Sequence, residues 1–333
     1  MRAKGENMMK TIRWGILSTG VIARNFADTA KKMGDVQVLA VASRSKESAD
    51  AFADAWGIER RYATYEALAA DPDVDIVYVA TPHSRHYEDM KLMIQNGKHI
   101  LCEKSFTTDA AQAEEIFALA REKGVFVMEA FWTKFCPVYR EVERVIASGA
   151  IGKIRTLTAQ YGYTTARQAR KFDAQLAGGT LLDIGVYAIG FACMMMGYQF
   201  DEIQSKLIMN SQGTDATDLI MLRKGEAAAQ LMTTIGAQIP LLGAVYGTKG
   251  RIEIPDFKNP QSVTVAIDGC EPETIFCPFE VNGFEYEIRE AQSCAAEGKL
   301  SSSMMTPAQS IAVMKIMDCV REQNGLKFPF ENL

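Results

Sequence analysis

The chain has 333 residues, 48% hydrophobic and 23% charged, with a net charge of −5 and a pI near 5.5. That length exceeds one typical hydrophobic core and predicts two domains, and the acidic balance argues against nucleic acid as a partner. No run approaches the roughly 18 apolar residues of a membrane span, so no membrane partner is expected. The seven cysteines, odd in number and without a C-x-x-C, read as reduced thiols of a cytoplasmic protein.

Residues 1–10 lack an apolar h-region and read as a flexible tail rather than a signal peptide. Residues 12–17 then read as a buried strand, 18–23 as a tight turn, 23–33 as a helix and 36–42 as a second strand. Strand, turn, helix and strand within about 30 residues form the unit that seats a dinucleotide pyrophosphate at a helix N-terminus. The G-x-G-x-x-G fingerprint falls on Ser18-Thr19-Gly20-Val21-Ile22-Ala23. A serine replaces the first glycine and an allowed alanine the third, while Gly20, where backbone approaches the pyrophosphate, is kept. Ser18, Thr19, Gly20, Val21 and Ile22 are therefore candidate cofactor contacts, although an ordinary α/β crossover also turns on small residues.

The second strand ends in Ala42-Ser43-Arg44-Ser45-Lys46. An NAD site places an acid here for the ribose 2′-hydroxyl, and none is present. Hydroxyls and cations suit a 2′-phosphate instead, so NADP is expected at Ser43 and Arg44, with NAD less favoured. Helices over 46–56 and 65–70 precede a strand over 74–80, which runs into Thr81-Pro82-His83. Ligand crevices in parallel sheets lie off the strands' carboxyl ends, so Thr81, Pro82 and the neighbouring His86 face the cofactor. His83 and His86 form H-x-x-H without a third ligand nearby, and no metal is expected.

A helix over 87–96 and a strand over 98–102 lead to Glu103-Lys104-Ser105. There Lys104 either caps the strand beside Glu103 or points its ammonium into the crevice. After a helix over 109–123 and a strand over 125–129, Phe131 and Trp132 wall a substrate pocket or pack against the second domain. A helix over 137–148 and a strand over 154–163 follow, then a polar loop over 164–173 (Arg167, Arg170, Lys171) that reads as solvated. Gly178-Gly179 opens a helix over 180–197. Its Asp183 and Tyr187 are four residues apart, share one face, and lie near the N-terminus, where the helix dipole favours negative charge. Short apolar runs between 207 and 279, separated by turn residues, predict an antiparallel-rich sheet. Its Met- and Leu-studded outer face suggests a partner surface, and helices over 284–297 and 307–324 close the chain.

Gly15-Ile16-Leu17-Ser18-Thr19-Gly20, Ala80-Thr81-Pro82 with His86, Cys102-Glu103-Lys104 and Gly178-Gly179-Thr180-Leu181-Leu182-Asp183-Ile184-Gly185 occur in that order. Together they resemble the Gfo/Idh/MocA oxidoreductases from about residue 11 to the C-terminus. Glu129-Ala130-Phe131-Trp132-Thr133-Lys134-Phe135 and Asp183-Ile184-Gly185-Val186-Tyr187 look closer still to the branch of dimeric dihydrodiol dehydrogenase and NADP-dependent D-xylose dehydrogenase. The resemblance implies an α/β Rossmann domain that binds NADP, assigned to 11–130. An α+β domain follows at 131–333, with a large open, predominantly antiparallel mixed sheet that carries substrate residues and a homodimer contact. It also implies NADP at Ser43-Arg44, Glu103 beside the cofactor, Lys104 at the substrate and, against the solvated reading, a loop at 164–173 that lines a sugar pocket. Two positions depart from the family: Ser105 stands where E-K-P has proline, and Tyr187 where D-x-x-x-H has histidine, the latter shared with the dihydrodiol branch.

The expected reaction is hydride transfer between NADP(H) and a small-molecule secondary alcohol or cyclic hemiacetal, of a sugar or a trans-dihydrodiol. It needs a base for the hydroxyl proton and an oriented carbinol C–H. A free tyrosine with a pKa near 10 is too weak a base at neutral pH, and a nearby ammonium would lower that value. Tyr187 is then the proton acceptor, Lys104 its electrostatic partner and Asp183 the group that orients either, with Trp132 also at the substrate. The reversed assignment, Lys104 as base, stands equally open. Two rivals use the same residues: a catalytically silent regulator that senses NADP(H) or a sugar, and a carbonyl reductase acting on a non-sugar substrate.

Overall fold

A computed structural model describes residues 11–164 and 169–332. The tail at 1–10 and Arg167 of the basic loop lie outside the described residues.

The first half builds β1 (Arg13–Leu17), α1 (Val21–Met33), β2 (Gln37–Ala42), α2 (Lys46–Trp56), β3 (Arg60–Tyr62), α3 (Tyr65–Ala69), β4 (Ile76–Val79), α4 (His83–Gln95), β5 (His99–Glu103), α5 (Ala110–Lys123) and β6 (Val127–Ala130). Among the described residues these strands form one parallel sheet in the order β3-β2-β1-β4-β5-β6. The order reverses between β1 and β4, which opens a crevice off their carboxyl ends. Trp14, Phe26 and Tyr78 are fully buried, and the last two rings stack at 4.1 Å. Aromatic side chains each bury roughly 150–250 Å², so this cluster anchors α1 across the switch point.

Two elements differ from the sequence reading. Strand β3 has no apolar alternation; it is held at its start by Arg60, whose guanidinium pairs with the buried Asp71 at 2.7 Å. Helix α4 begins four residues early, at His83 behind an extended Pro82, because both histidines bury in its first turn.

After α6 (Pro137–Ala147) a second sheet forms from β7 (Ile154–Gly162), β8 (Glu202–Met209), β9 (Asp215–Lys224), β10 (Ala227–Thr234), β11 (Ile239–Gly247), β12 (Gly250–Pro255), β13 (Ser262–Ile267) and β14 (Glu273–Phe276). Its order is β14-β13-β12-β11-β7-β10-β9-β8, and β7 with β10 is the parallel pair in an otherwise antiparallel sheet. Before β8, residues Leu181–Gly185 make a π turn and α7 runs over Val186–Met196, so the single helix expected from 180 is widened at its start. The stretch Ala174–Met196 is long and apolar enough to cross a membrane, contrary to the sequence reading, but 94% of its most apolar window is buried inside the fold.

Helices α7 and α9 (Pro307–Asn324) pack against the second sheet. Ile208, Leu219, Met221 and Tyr246 are exposed on its strands. Helix α8 (Phe284–Ala296) returns to the first sheet and packs against α1 and β5. Trp14 Nε1 donates to Gln292 Oε1 at 3.1 Å along that contact.

Candidate active site

A cavity of about 580 Å³ opens where the two sheets meet. Ser18, Gly20, Val21 and Ile22 line it from the first turn, Thr81, Pro82, His83 and His86 from the start of α4, and Glu103 and Lys104 from the end of β5. From the second domain come Asp183, Ile184 and Tyr187, with Tyr161, Tyr163, Arg170, Lys171 and Lys258. The proposed catalytic trio therefore meets in one place although it is spread over 83 positions of chain, Lys104 to Tyr187.

The first turn fits a dinucleotide. Helix α1 starts behind Gly20 with no side-chain cap and no acid in its first turn, which leaves its amides for an anion. Val21 is 72% exposed on the cavity wall, an apolar surface that a bound cofactor would cover. Ser18 holds φ +97° where the fingerprint has glycine, and its N–H donates to Ala42 O at 2.9 Å. That bond places Ser43 and exposed Arg44 beside the turn, although neither reaches the cavity wall, and nor does Thr19. In the same run Ser45 caps α2 and Lys46 pairs with Asp50 at 2.6 Å.

His86 is fully buried, with its ring nitrogens 2.9 Å from the main-chain oxygens of Ser105 and Thr81. Burial pushes its pKa down to about 4, against the carbonyls of Thr81 and Ser105 that push it up, and burial pushes that of His83 down to about 3; a neutral His86 ring donates to one of its two carbonyls. Ser105, the departure from the family proline, is built into the same joint: its hydroxyl donates to Leu182 O in the π turn at 2.8 Å. Glu103 accepts from the Tyr78 hydroxyl beneath the site.

Lys104 Nζ donates to Asp183 O at 2.5 Å and lies 3.9 Å from Asp183 Oδ1. Burial pushes the ammonium down from its usual pKa, partly offset by Asp183 and Glu103. Burial pushes the Asp183 carboxyl up, but Lys104 and Lys171 outweigh it, and the group is held well below the carboxylate range. Lys171 Nζ pairs with Asp183 Oδ2 at 2.7 Å, and the Tyr163 hydroxyl donates to the same oxygen at 2.7 Å. Lys171 is 8% exposed, so this cation of the loop is not solvated, whereas Arg170, 3.7 Å from Asp183 Oδ1, is exposed.

Tyr187 meets Lys104 through its ring. Lys104 Nζ sits over its ring, 4.7 Å from the centroid, rather than beside the phenol oxygen. Burial, with Glu103 and Tyr161 behind it, pushes the hydroxyl well above the usual tyrosine value. Trp132 stands behind the wall rather than on it, and its Nε1 donates to Tyr187 Oη at 3.2 Å.

The π turn is braced from β9. Asp215 Oδ2 accepts from Leu181 N at 2.5 Å, and Asp215 O accepts from Thr180 Oγ1 at 3.2 Å. Gly179 has φ +120°, and a Cβ there would lie 2.0 Å from Asp215 Oδ1. Sequence reasoning passed over Tyr161, Tyr163, Asp215 and Lys258, because each comes from a strand or loop without a motif of its own. Among the described residues no cluster of three metal-ligating side chains occurs.

Comparison with known proteins agrees with this geometry. The model of an oxidoreductase family with an NAD-binding Rossmann fold, GFO_IDH_MocA, matches residues 12–131, and the GFO/IDH/MocA C-terminal domain matches residues 139–253. The trans-1,2-dihydrobenzene-1,2-diol dehydrogenase of Xenopus tropicalis is 37% identical over 330 residues, covering 95% of this chain and 99% of the relative. The mouse protein of that name is 33% identical, covering 96% and 98%. Among solved structures, KijD10, a 3-ketoreductase from Actinomadura kijaniata in complex with NADP and TDP-benzene, superposes with a TM-score of 0.87 at 28% identity, covering 95% of this chain and 98% of the other. A levoglucosan dehydrogenase with NADH and levoglucosan shares the fold at 20% identity and a TM-score of 0.84, covering 95% and 98%.

Proposed function

The chain belongs to the Gfo/Idh/MocA oxidoreductase family and acts on CH–OH groups; from that premise we propose that it exchanges a hydride between NADP(H) and the carbinol carbon of a sugar or a trans-dihydrodiol. The observation that carries the reading is the convergence of Lys104, Asp183 and Tyr187 on the cavity at the end of β5. A bound dinucleotide supplies the hydride acceptor for oxidation and the donor for reduction.

The chain's part is proton transfer and orientation. Lys104 is the proton-exchanging group: a buried amine loses its proton more readily than one in water, whereas a buried phenol holds its proton more tightly. The two shifts run in opposite directions, which favours Lys104 over Tyr187 as the proton acceptor. In oxidation the neutral Lys104 amine takes the hydroxyl proton, and in reduction the ammonium returns it. Because Tyr187 Oη accepts from Trp132, its own hydrogen is available to donate to the substrate oxygen. Asp183 holds Lys104 and Lys171 in register. Two copies of the chain associate through the second sheet, where Ile208, Leu219 and Met221 are 54%, 42% and 54% exposed.

The test is the initial rate of NADPH formation over a panel of aldoses, inositols and a trans-dihydrodiol, with NAD+ in parallel. Oxidation of at least one alcohol with NADP+ is expected. Arg44→Ala should narrow the preference over NAD+ by about tenfold, the scale of one lost charged hydrogen bond. Silence across the panel with tight NADPH binding would transfer the weight to the regulator reading.

A further inference from the structure

Lys258, from the loop between β12 and β13, is a cation that the proton-transfer scheme does not use. It lines the cavity, and its Nζ lies 5.6 Å from the ring centroids of both Trp132 and Tyr161. It makes no ion pair among the described residues. By contrast, Lys104, Arg170 and Lys171 all face Asp183. With Lys104 neutral to accept the proton, the cavity wall carries three cations, Arg170, Lys171 and Lys258, against the carboxylates of Glu103 and Asp183. Burial pushes the Lys258 ammonium down, Asp256 and Asp183 partly offset that, and Lys171 adds to it. The dinucleotide's phosphates belong at the N-terminus of α1, and an oxidised nicotinamide ring adds positive charge of its own.

We infer that the substrate bears an anionic oxygen group, a carboxylate or phosphate ester on the ring, and that Lys258 receives it between the faces of Trp132 and Tyr161. This rests on the dehydrogenase reading of the same cavity. An anion there forms a charge-assisted bond to Lys258 in a partly desolvated site, where such a bond is stronger than in water. The aromatic faces hold the ammonium in place while it waits. A neutral polyol would leave the excess charge uncompensated.

The experiment compares matched rings with NADP+: a neutral aldose, its uronate and its 6-phosphate ester, in wild type, Lys258→Met and Lys258→Arg. For the uronate or the phosphate ester, a KM at least tenfold below that of the neutral ring is expected, with the gap narrowing as salt rises. Lys258→Met should erase the gap and Lys258→Arg restore most of it, and whichever anion benefits identifies the group. A neutral ring served as well as its anions, or a gap untouched by Lys258→Met, would overturn the inference and leave the dehydrogenase reading standing. If no ring is oxidised, that reading fails for these substrates, and quenching of Trp132 fluorescence in the NADP-bound protein decides this one alone. Tighter binding of an anionic ring than of the neutral one supports it, and equal binding overturns it.

Discussion

Trp132 Nε1 donates to Tyr187 at 3.2 Å, and Lys104 lies over the face of the same ring. These two contacts decide how the proton moves, because neither stabilises a phenolate oxygen by direct charge. A cation over a ring contributes roughly 0.5–2 kcal/mol, which orients Lys104 without neutralising it. The meeting of Lys104, Asp183 and Tyr187 at one cavity was legible in the sequence, since each sits in a motif at the end of a strand or the start of a helix. Their division of labour was not, because it depends on burial and on which atom of Tyr187 the ammonium meets. Lys171 was hidden for a related reason: a basic loop reads as solvated until a buried carboxylate is found opposite it. Ser18 makes a prediction at this scale. Its φ of +97° is costly for a serine, and strained residues of this kind cost on the order of 1–3 kcal/mol. Ser18→Gly should raise stability by about 1 kcal/mol in urea unfolding while NADPH affinity stays within a few-fold.

The π turn Leu181–Gly185 is the element on which the site depends. It carries Asp183, accepts the Ser105 hydroxyl through Leu182 O, and hangs from Asp215 through Leu181 N. The sequence does not reveal it, because α7 and its lead-in are apolar on nearly every side and leave no periodicity to interrupt. A widened turn at a functional site is a recurrent device, and here it brings Asp183 and Tyr187 to one cavity. Gly179 makes the close approach of Asp215 feasible. Gly179→Ala combines a left-handed φ with a 2.0 Å clash, so a loss on the order of 2–3 kcal/mol is expected in thermal unfolding. Turnover should fall further than stability alone explains, because Asp183 and Lys104 shift together. An alanine variant with wild-type stability and turnover would show that the brace is dispensable.

At the scale of the whole molecule, the first sheet was the most legible part, since its βαβ rhythm and buried strands repeat in the chain. The second sheet was legible as a run of antiparallel strands, but its parallel β7–β10 pair joins strands far apart in sequence and leaves no local mark. The return of α8 to the first sheet joins residues far apart in the chain, such as Trp14 and Gln292, and leaves no local mark either. The exposed Ile208, Leu219 and Met221 predict a dimer in light scattering, and Leu219→Glu with Met221→Glu should shift it to monomer with the fold intact. The active site itself is a product of both domains, with Lys104 from one and Asp183 and Tyr187 from the other. Its proton chemistry can be read from the pH dependence of kcat/KM for alcohol oxidation by the NADP-bound enzyme. Lys104 must be neutral to accept a proton, so the rate should rise with pH and level off below the usual lysine value, near 10.4. That limb should vanish in Lys104→Met, whatever residual rate remains, and persist in Tyr187→Phe at reduced height. A limb retained by Lys104→Met and lost in Tyr187→Phe would contradict the account and return the proton to the tyrosine.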